Sequence, residues 1–413
     1  MSASNLAGAL LAGALLALPA AAQQQVTLPA ADRPLSLAMR TLFTLGELDG
    51  EDHENFAMVT DVAFDAGGNV YVLDSQAFRV SVFDADGRFL RSIGRQGGGP
   101  GEFTYPSGIA LLPDGNLVVN DGGRASLQIF DPRGAFVRSI AVDEDLGRAL
   151  GRLRASPAGS VLTETARFRT PGRAATNGRL SMPPRSITAL ALDSVARGTR
   201  LFNAAPRELS VSTQNTANGG STRFSTALSA FLPELLWTPF AQGGVAVSNS
   251  AAYRVVIADG QGRPTRYLER AIEPREVTAA DRKRWLERRS EGGGGTAMIM
   301  TSSGSGNAPR GTLPPPAVMR MDVGSIDEQD VNWGDVVPVI TALGTDSFGR
   351  LWVQRVGRDL GDGPIDVIDT GLRYLGTLAP QEMPRAFGPD GRVAYIVRDD
   401  LDVQRVVVKQ IIR

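Results

Sequence analysis

Residues 60–94, TDVAFDAGGNVYVLDSQAFRVSVFDADGRFLRSIG, return 47 positions later as residues 107–141, SGIALLPDGNLVVNDGGRASLQIFDPRGAFVRSIA. Gly68-Asn69 falls on Gly115-Asn116, Asp74 on Asp121, and Phe83-Asp84 on Phe130-Asp131. A copy of this length is one supersecondary unit that cannot bury its apolar face alone, so the chain must stack several of them. Within each copy, short runs rich in β-branched residues (Val70, Val72, Val80 and Val82 in the first) alternate with Asp/Gly/Asn punctuation. That pattern predicts four antiparallel strands per unit, joined by tight glycine turns.

Weaker copies follow. Ser156–Thr163 repeats the first hairpin, with Ile187–Phe202 as the outer strands of a third unit. Gly243–Leu268 is the fourth, Ile340–Leu378 the fifth, and Pro384–Arg413 begins a sixth that stops after three strands. Leu35–Leu45 (LSLAMRTLFTL) precedes the first unit and belongs to none. The economical solution is an all-β, six-bladed β-propeller of four-stranded antiparallel blades, with this N-terminal strand completing the last blade. Such closure leaves no open sheet edge at the seam.

Upstream, Leu6–Leu18 is an apolar run followed by Pro19 and Ala20-Ala21-Ala22. This predicts a signal peptide over residues 1–22, cleaved after Ala22, and a periplasmic or secreted mature chain. Residues 23–413 then form one propeller domain, and no later run reaches the length of a membrane span.

The junction Gly94-Arg95-Gln96-Gly97-Gly98-Gly99-Pro100-Gly101-Glu102-Phe103, followed by Pro106 and Gly108-Ile109-Ala110, resembles the blade-to-blade junction of bacterial six-bladed β-propeller proteins related to NHL repeats. The resemblance implies the fold and export. Related propellers include calcium-dependent lactonases and lyases, so fold alone selects no chemistry. It also implies that loops between a blade's second and third strands open on the same face as the blade-to-blade crossings. The long insertions, about 168–185, 203–239 and 269–336, all fall on that face. Within the last, Thr278–Arg289 reads as a short helix with Thr278 as N-cap and Asp281 three residues on, either over the mouth of the central channel or, the reading favoured by its run of charges, a solvated helix packed by Val277, Trp285 and Leu286. Glu291–Pro316, rich in Gly, Ser and Pro, reads as a flexible tract.

Composition narrows the chemistry. The 413 residues contain no cysteine and one histidine, His53, which excludes thiol nucleophiles, disulfides, thiolate zinc sites and two-histidine metal centres. With 43 Lys+Arg against 44 Asp+Glu there is no electrostatic footprint for nucleic acid. No G-x-S-x-G elbow accompanies His53.

Candidate ligand-binding residues are Asp74 with Arg79, Asp121 with Arg124, Asn249 with Arg254, Glu102 in the glycine-rich junction, and Asp399. The Asp/Asn-Arg spacing recurs between blades, which favours a bracing role over a site, because a site breaks a repeat's symmetry. Carboxylates and amides at Glu102, Asp121, Asn249 and Asp399 are also the oxygen donors that calcium prefers. Two functions follow: an exported scaffold that binds a small ligand or an envelope or extracellular protein on its insertion-rich face, without a cofactor; or a calcium-dependent hydrolase or lactonase at the channel mouth.

Overall fold

A computed structural model describes residues 24–412 apart from 49, 168–178, 216–221, 227, 241–242, 292–327, 329–330 and 400. The expected signal peptide and the Gly/Ser/Pro tract therefore lie outside the described residues, the tract apart from Glu291.

Six four-stranded antiparallel blades form a ring. Blade 1 is Val59–Phe64, Val70–Asp74, Arg79–Phe83 and Phe89–Ile93; blade 2 repeats it from Pro106–Leu111 to Phe136–Ala141. Blade 3 runs from Arg148–Ala155 to Ala196–Asn203, blade 4 from Leu236–Phe240 to Pro264–Arg270, and blade 5 from Ile340–Thr345 to Tyr374–Leu378. Blade 6 takes Ala386–Phe387, Arg392–Arg398 and Gln404–Ile411 from the C-terminus, and its outermost strand, Met39–Leu45, from the N-terminus. Thr41 pairs with Lys409 and Thr44 with Val407, so the two ends of the chain meet in one sheet.

The inner strands, such as Val70–Asp74, Leu117–Asp121 and Gly244–Ser248, are buried on both faces, because each blade is packed between two others and the apolar faces meet there. Six separate apolar clusters result, one for each interface of the ring. Val62, Val70 and Phe83 of blade 1 pack against Ala394, Val406 and Val408 of blade 6. Trp352 and Val367 of blade 5 pack against Val393 and Ile411 of the same blade 6. The remaining four interfaces are built alike. Six interfaces between six blades is the signature of a closed ring.

The sequence placed Asn203–Pro239 wholly in an insertion, whereas Leu236–Phe240 is the first strand of blade 4. Pro239 disguised it. A proline is excluded from central strands, but the first strand of a blade is a sheet edge facing the channel and has a free N–H side.

The N-terminal segment does more than close blade 6. Gln24–Leu28 adds a fifth, parallel strand to blade 4, with Leu28 opposite Arg270. Pro34 then bridges Thr377 of blade 5 before the chain reaches blade 6. Residues 24–45 thus form a strap along the outer edges of three consecutive blades.

Strand direction puts every loop between second and third strands, and every crossing, at the starting end of the first strands. There the insertions pair with one another. Arg179–Met182 and Thr222–Thr226 flank Arg207–Asn215, Leu228–Ala230 pairs with Val331–Trp333, and Arg275–Glu276 with Val336–Val337. The one α-helix among the described residues, α1 (Ala279–Glu291), lies in the insertion between blades 4 and 5. No described helix is long and apolar enough to cross a membrane.

Candidate functional site

Asp74 and Asp121 end the second strands of blades 1 and 2 and are fully buried. Asp74 accepts hydrogen bonds from the backbone N–H of Ala57 (2.8 Å), Met58 and Ala77. Asp121 accepts from the N–H of Thr104 and Tyr105, the Thr104 hydroxyl and the Gln128 amide. In each blade the carboxylate thus ties the loop to the segment that enters the first strand. Arg79 donates to the carbonyls of Asp52 and Asn55, while Arg254 pairs with Glu269 at 2.8 Å. Asn249 is exposed just beyond the second strand of blade 4. Asp399 caps its own turn through the N–H of Leu401 and Val403 and holds Arg405 at 2.9 Å.

The glycine-rich junction is organised from within. Glu102 accepts from Gly99 N–H at 2.7 Å and pairs with Arg95, and these contacts hold its carboxyl below the usual range. Arg124 donates to the carbonyls of Gly98 and Gly99. A Cβ on Gly94 would stand 2.0 Å from the ring of buried Phe103, which explains that glycine. The loop's own carboxylate occupies the place an anion would take.

None of these eight residues lines the cavity of about 680 Å³ at the insertion-side mouth of the channel. Its wall comes from the starts of first strands and the segments before them: Val59 and Thr60, Arg152, Glu234 to Trp237, Thr341 to Leu343, Glu382 to Arg385, with Ile396 behind. The helix α1 contributes no residue to it. Trp285 of α1 packs edge-on against Trp333, and Arg284 reaches Asp359 in blade 5, so the helix sits to one side.

Arg152 is aimed by a backbone irregularity. In blades 1, 2 and 5 the first strand carries a one-residue bulge at Thr60, Ser107 and Thr341, each with its hydroxyl turned to a carbonyl of the adjacent strand. Blade 3 skips two residues, Gly151 and Arg152, between Leu150 and Leu153. Gly151 takes a positive φ of 62° there. The Asn120 amide holds the carbonyls of Ala149 and Gly151, and the Thr163 hydroxyl holds that of Arg152. Bulges of this kind re-aim side chains beside functional sites.

Beneath the cavity, three guanidinium groups gather about one carboxylate. Asp61, fully buried, lies 3.3 Å from Arg154 and 3.6 Å from Arg385, and also accepts from the N–H of Val62 and Ile109. Arg154 bonds the carbonyls of Leu153 and Arg385. Arg385 donates to Thr60 O, while its buried Nε–H faces Asp61 at 3.6 Å, too far for a hydrogen bond. Arg152 makes no ion pair among the described residues. The like charge of Arg154, then burial and the charge of Arg385, pull its guanidinium down to about 9, with Asp61 opposing. It remains a cation at neutral pH. At the rim, Glu234 and Glu382 are solvent-accessible, and the partial desolvation of the Glu382 carboxyl, followed by the charge of Asp362, raises it.

This donor set does not fit calcium, which takes six to eight oxygens. Among the described residues no three carboxylate or histidine side chains come together as metal ligands. The arrangement suits an anion instead. Of the cluster, the sequence had singled out none: Asp61, Arg152, Arg154 and Arg385 were all missed.

No curated protein sequence matches the chain. Among solved structures, it is similar to a protein of Bacteroides fragilis NCTC 9343 described as exported, at 11% identity and a TM-score of 0.49, covering 94% of this chain and 100% of that one. A gluconolactonase from Xanthomonas campestris aligns at 12% identity and a TM-score of 0.43, over 90% and 89% of the two chains. A calcium-binding protein, regucalcin, from Agrobacterium tumefaciens aligns at 16% identity and a TM-score of 0.40, over 93% and 96%. A family model described as a 6-bladed beta-propeller matches residues 47–143, the stretch that holds blades 1 and 2.

Proposed function

We propose that the protein is an exported binding propeller, related to NHL-repeat propellers, whose channel mouth on the insertion-rich face takes a small ligand. One observation carries this reading: a cavity of about 680 Å³ opens at the mouth, with a mixed polar and apolar lining and a few convergent charged groups. Small-molecule sites commonly have this size. The insertions that pair with one another lie on this same face.

Ala342 lines the cavity, and an Ala342→Trp substitution would fill much of it. A small-molecule library screened by ligand-observed NMR should give compounds that bind the wild-type mature chain and fail to bind this variant. Compounds that bind both proteins alike would place the ligand elsewhere. Export is tested by N-terminal sequencing of the mature protein, which should begin at Gln23.

A further inference from the structure

Resting on that reading of the mouth, we infer that the ligand is an amphipathic organic monocarboxylate, its head held by Arg152 and Arg385 and its body against Leu235, Trp237, Leu343 and Ile396. Charge accounting leads there first. Arg152, Arg154 and Arg385 share the single carboxylate of Asp61, which leaves an excess of two positive charges at the base of the cavity. Asp61 is already engaged by two backbone N–H groups as well as two guanidinium groups. The buried Arg385 Nε–H reaches Asp61 only at 3.6 Å, beyond hydrogen-bond distance, and Arg152 makes no ion pair among the described residues. Folding gains nothing from gathering like charges, yet the two-residue bulge of blade 3 holds Arg152 among them. An arriving anion would supply the missing acceptors.

The remaining surface selects which anion. A guanidinium fork matches a planar carboxylate in two parallel hydrogen bonds. The lining is mixed: Leu235, Trp237 and Leu343, mostly buried between blades, show only apolar edges beside Ile396, yet an inorganic ion would leave most of the cavity unused. The exposed carboxylates of Glu234 and Glu382 stand at the rim and oppose anions of higher charge. A single negative charge on an apolar body satisfies all three conditions.

Four probes of one body separate the terms: 4-phenylbutyrate, 4-phenylbutan-1-ol, 4-phenylbutylamine and 4-phenylbutyl phosphate, titrated into the mature protein by calorimetry. The carboxylate should bind at least tenfold more tightly than the other three. Arg152→Gln should abolish that preference, and Arg152→Lys, which keeps the charge and loses the fork, should recover only part of it. The melting midpoint of each variant checks that it is folded. Equal binding of the carboxylate and the alcohol, a preference for the phosphate, or an unchanged preference in Arg152→Gln would overturn the inference and leave the mouth standing as a ligand site. Absence of binding by all four also overturns it, and the Ala342→Trp screen judges the mouth separately.

Discussion

Asp366, on the third strand of blade 5, holds Nη1 of Arg270 from the last strand of blade 4 at 2.8 Å, with both side chains closed to solvent. The other end of the guanidinium meets the N-terminal strap: Nη2 lies 2.6 Å from Asp32, and Nε donates to Pro29 O. Tyr374 lies under it, and Thr377 and Arg355 complete the shell of Asp366. One cation therefore joins two blades to the strap. Removing one member of a buried pair leaves a charge without compensation and typically costs about 3–5 kcal/mol, whereas an apolar pair of similar volume is often neutral. Asp366→Ala should accordingly lower the urea midpoint sharply, and Arg270→Met with Asp366→Leu should recover more than half of the loss. An Asp366→Ala midpoint close to wild type would show that the pair adds little.

The strap yields a graded truncation. A chain starting at Met39 loses Asp32 and the carbonyls that serve Arg270 but keeps blade 6 intact. A chain starting at Gly46 also strips the partner from Gln404–Ile411 and exposes a sheet edge, which invites pairing between chains. The first should melt several degrees below wild type and remain monomeric. The second should melt far lower and self-associate on size-exclusion chromatography. A monomeric, stable chain from Gly46 would mean that the seam is held by the interfaces between blades alone.

The ring and its seam were legible because they rest on period and composition, which survive in a single sequence. The 47-residue offset and the orphan segment Leu35–Leu45 were enough. The N-cap of α1 was legible for the same reason, since Thr278 and Asp281 bond reciprocally within four residues. The charge cluster was not, because it joins residues from three blades through the channel. A trace of it was present. Counted back from the first turn, blade 1 has Asp61-Val62-Ala63, blade 2 has Gly108-Ile109-Ala110, and blade 3 has Arg152-Leu153-Arg154. An arginine pair in that place breaks the repeat, while Asp74 and Asp121, which preserve it, turn out to brace loops.

Asp281 makes the seating of α1 sensitive to acid. Its two oxygens meet Arg275 at 2.6 and 2.8 Å and also receive Thr278, so its carboxyl sits well below the usual carboxylate range, with Arg275 the largest cause. A lowered folded-state pKa contributes stability that is complete above the unfolded value and fades as pH falls toward the folded one. The loss therefore begins below about pH 4. Trp285 reports it, because it leaves its edge-on contact with Trp333 when the helix lifts. Asp281→Asn should show the acid-form fluorescence already at neutral pH and cost about 1 kcal/mol, as loss of a helix cap does. Identical fluorescence titrations in the two proteins would show that the pair does not seat the helix.

Arg152 carries the opposite sign. Its guanidinium is lowered from 12.5 to about 9, first by Arg154, so the charged form is less at ease in the fold than in the unfolded chain. Unfolding therefore takes up protons between those two values, and the penalty on the native state is complete below the lower one. Removing the charge should stabilise the protein at neutral pH. After discounting for its partial solvent exposure, the gain expected for Arg152→Gln is about 1–2 kcal/mol, or a melting midpoint higher by about 1–3 °C for a chain of this length. That advantage should shrink as the pH is raised above 9, where the wild-type guanidinium begins to lose its proton. A group that weakens the fold while facing a cavity is kept for what enters that cavity, because destabilising placements of this kind gather at functional sites. If Arg152→Gln instead melts lower at neutral pH, the guanidinium is a structural support of blade 3, and the anion it was assigned must be sought at another place on the ring.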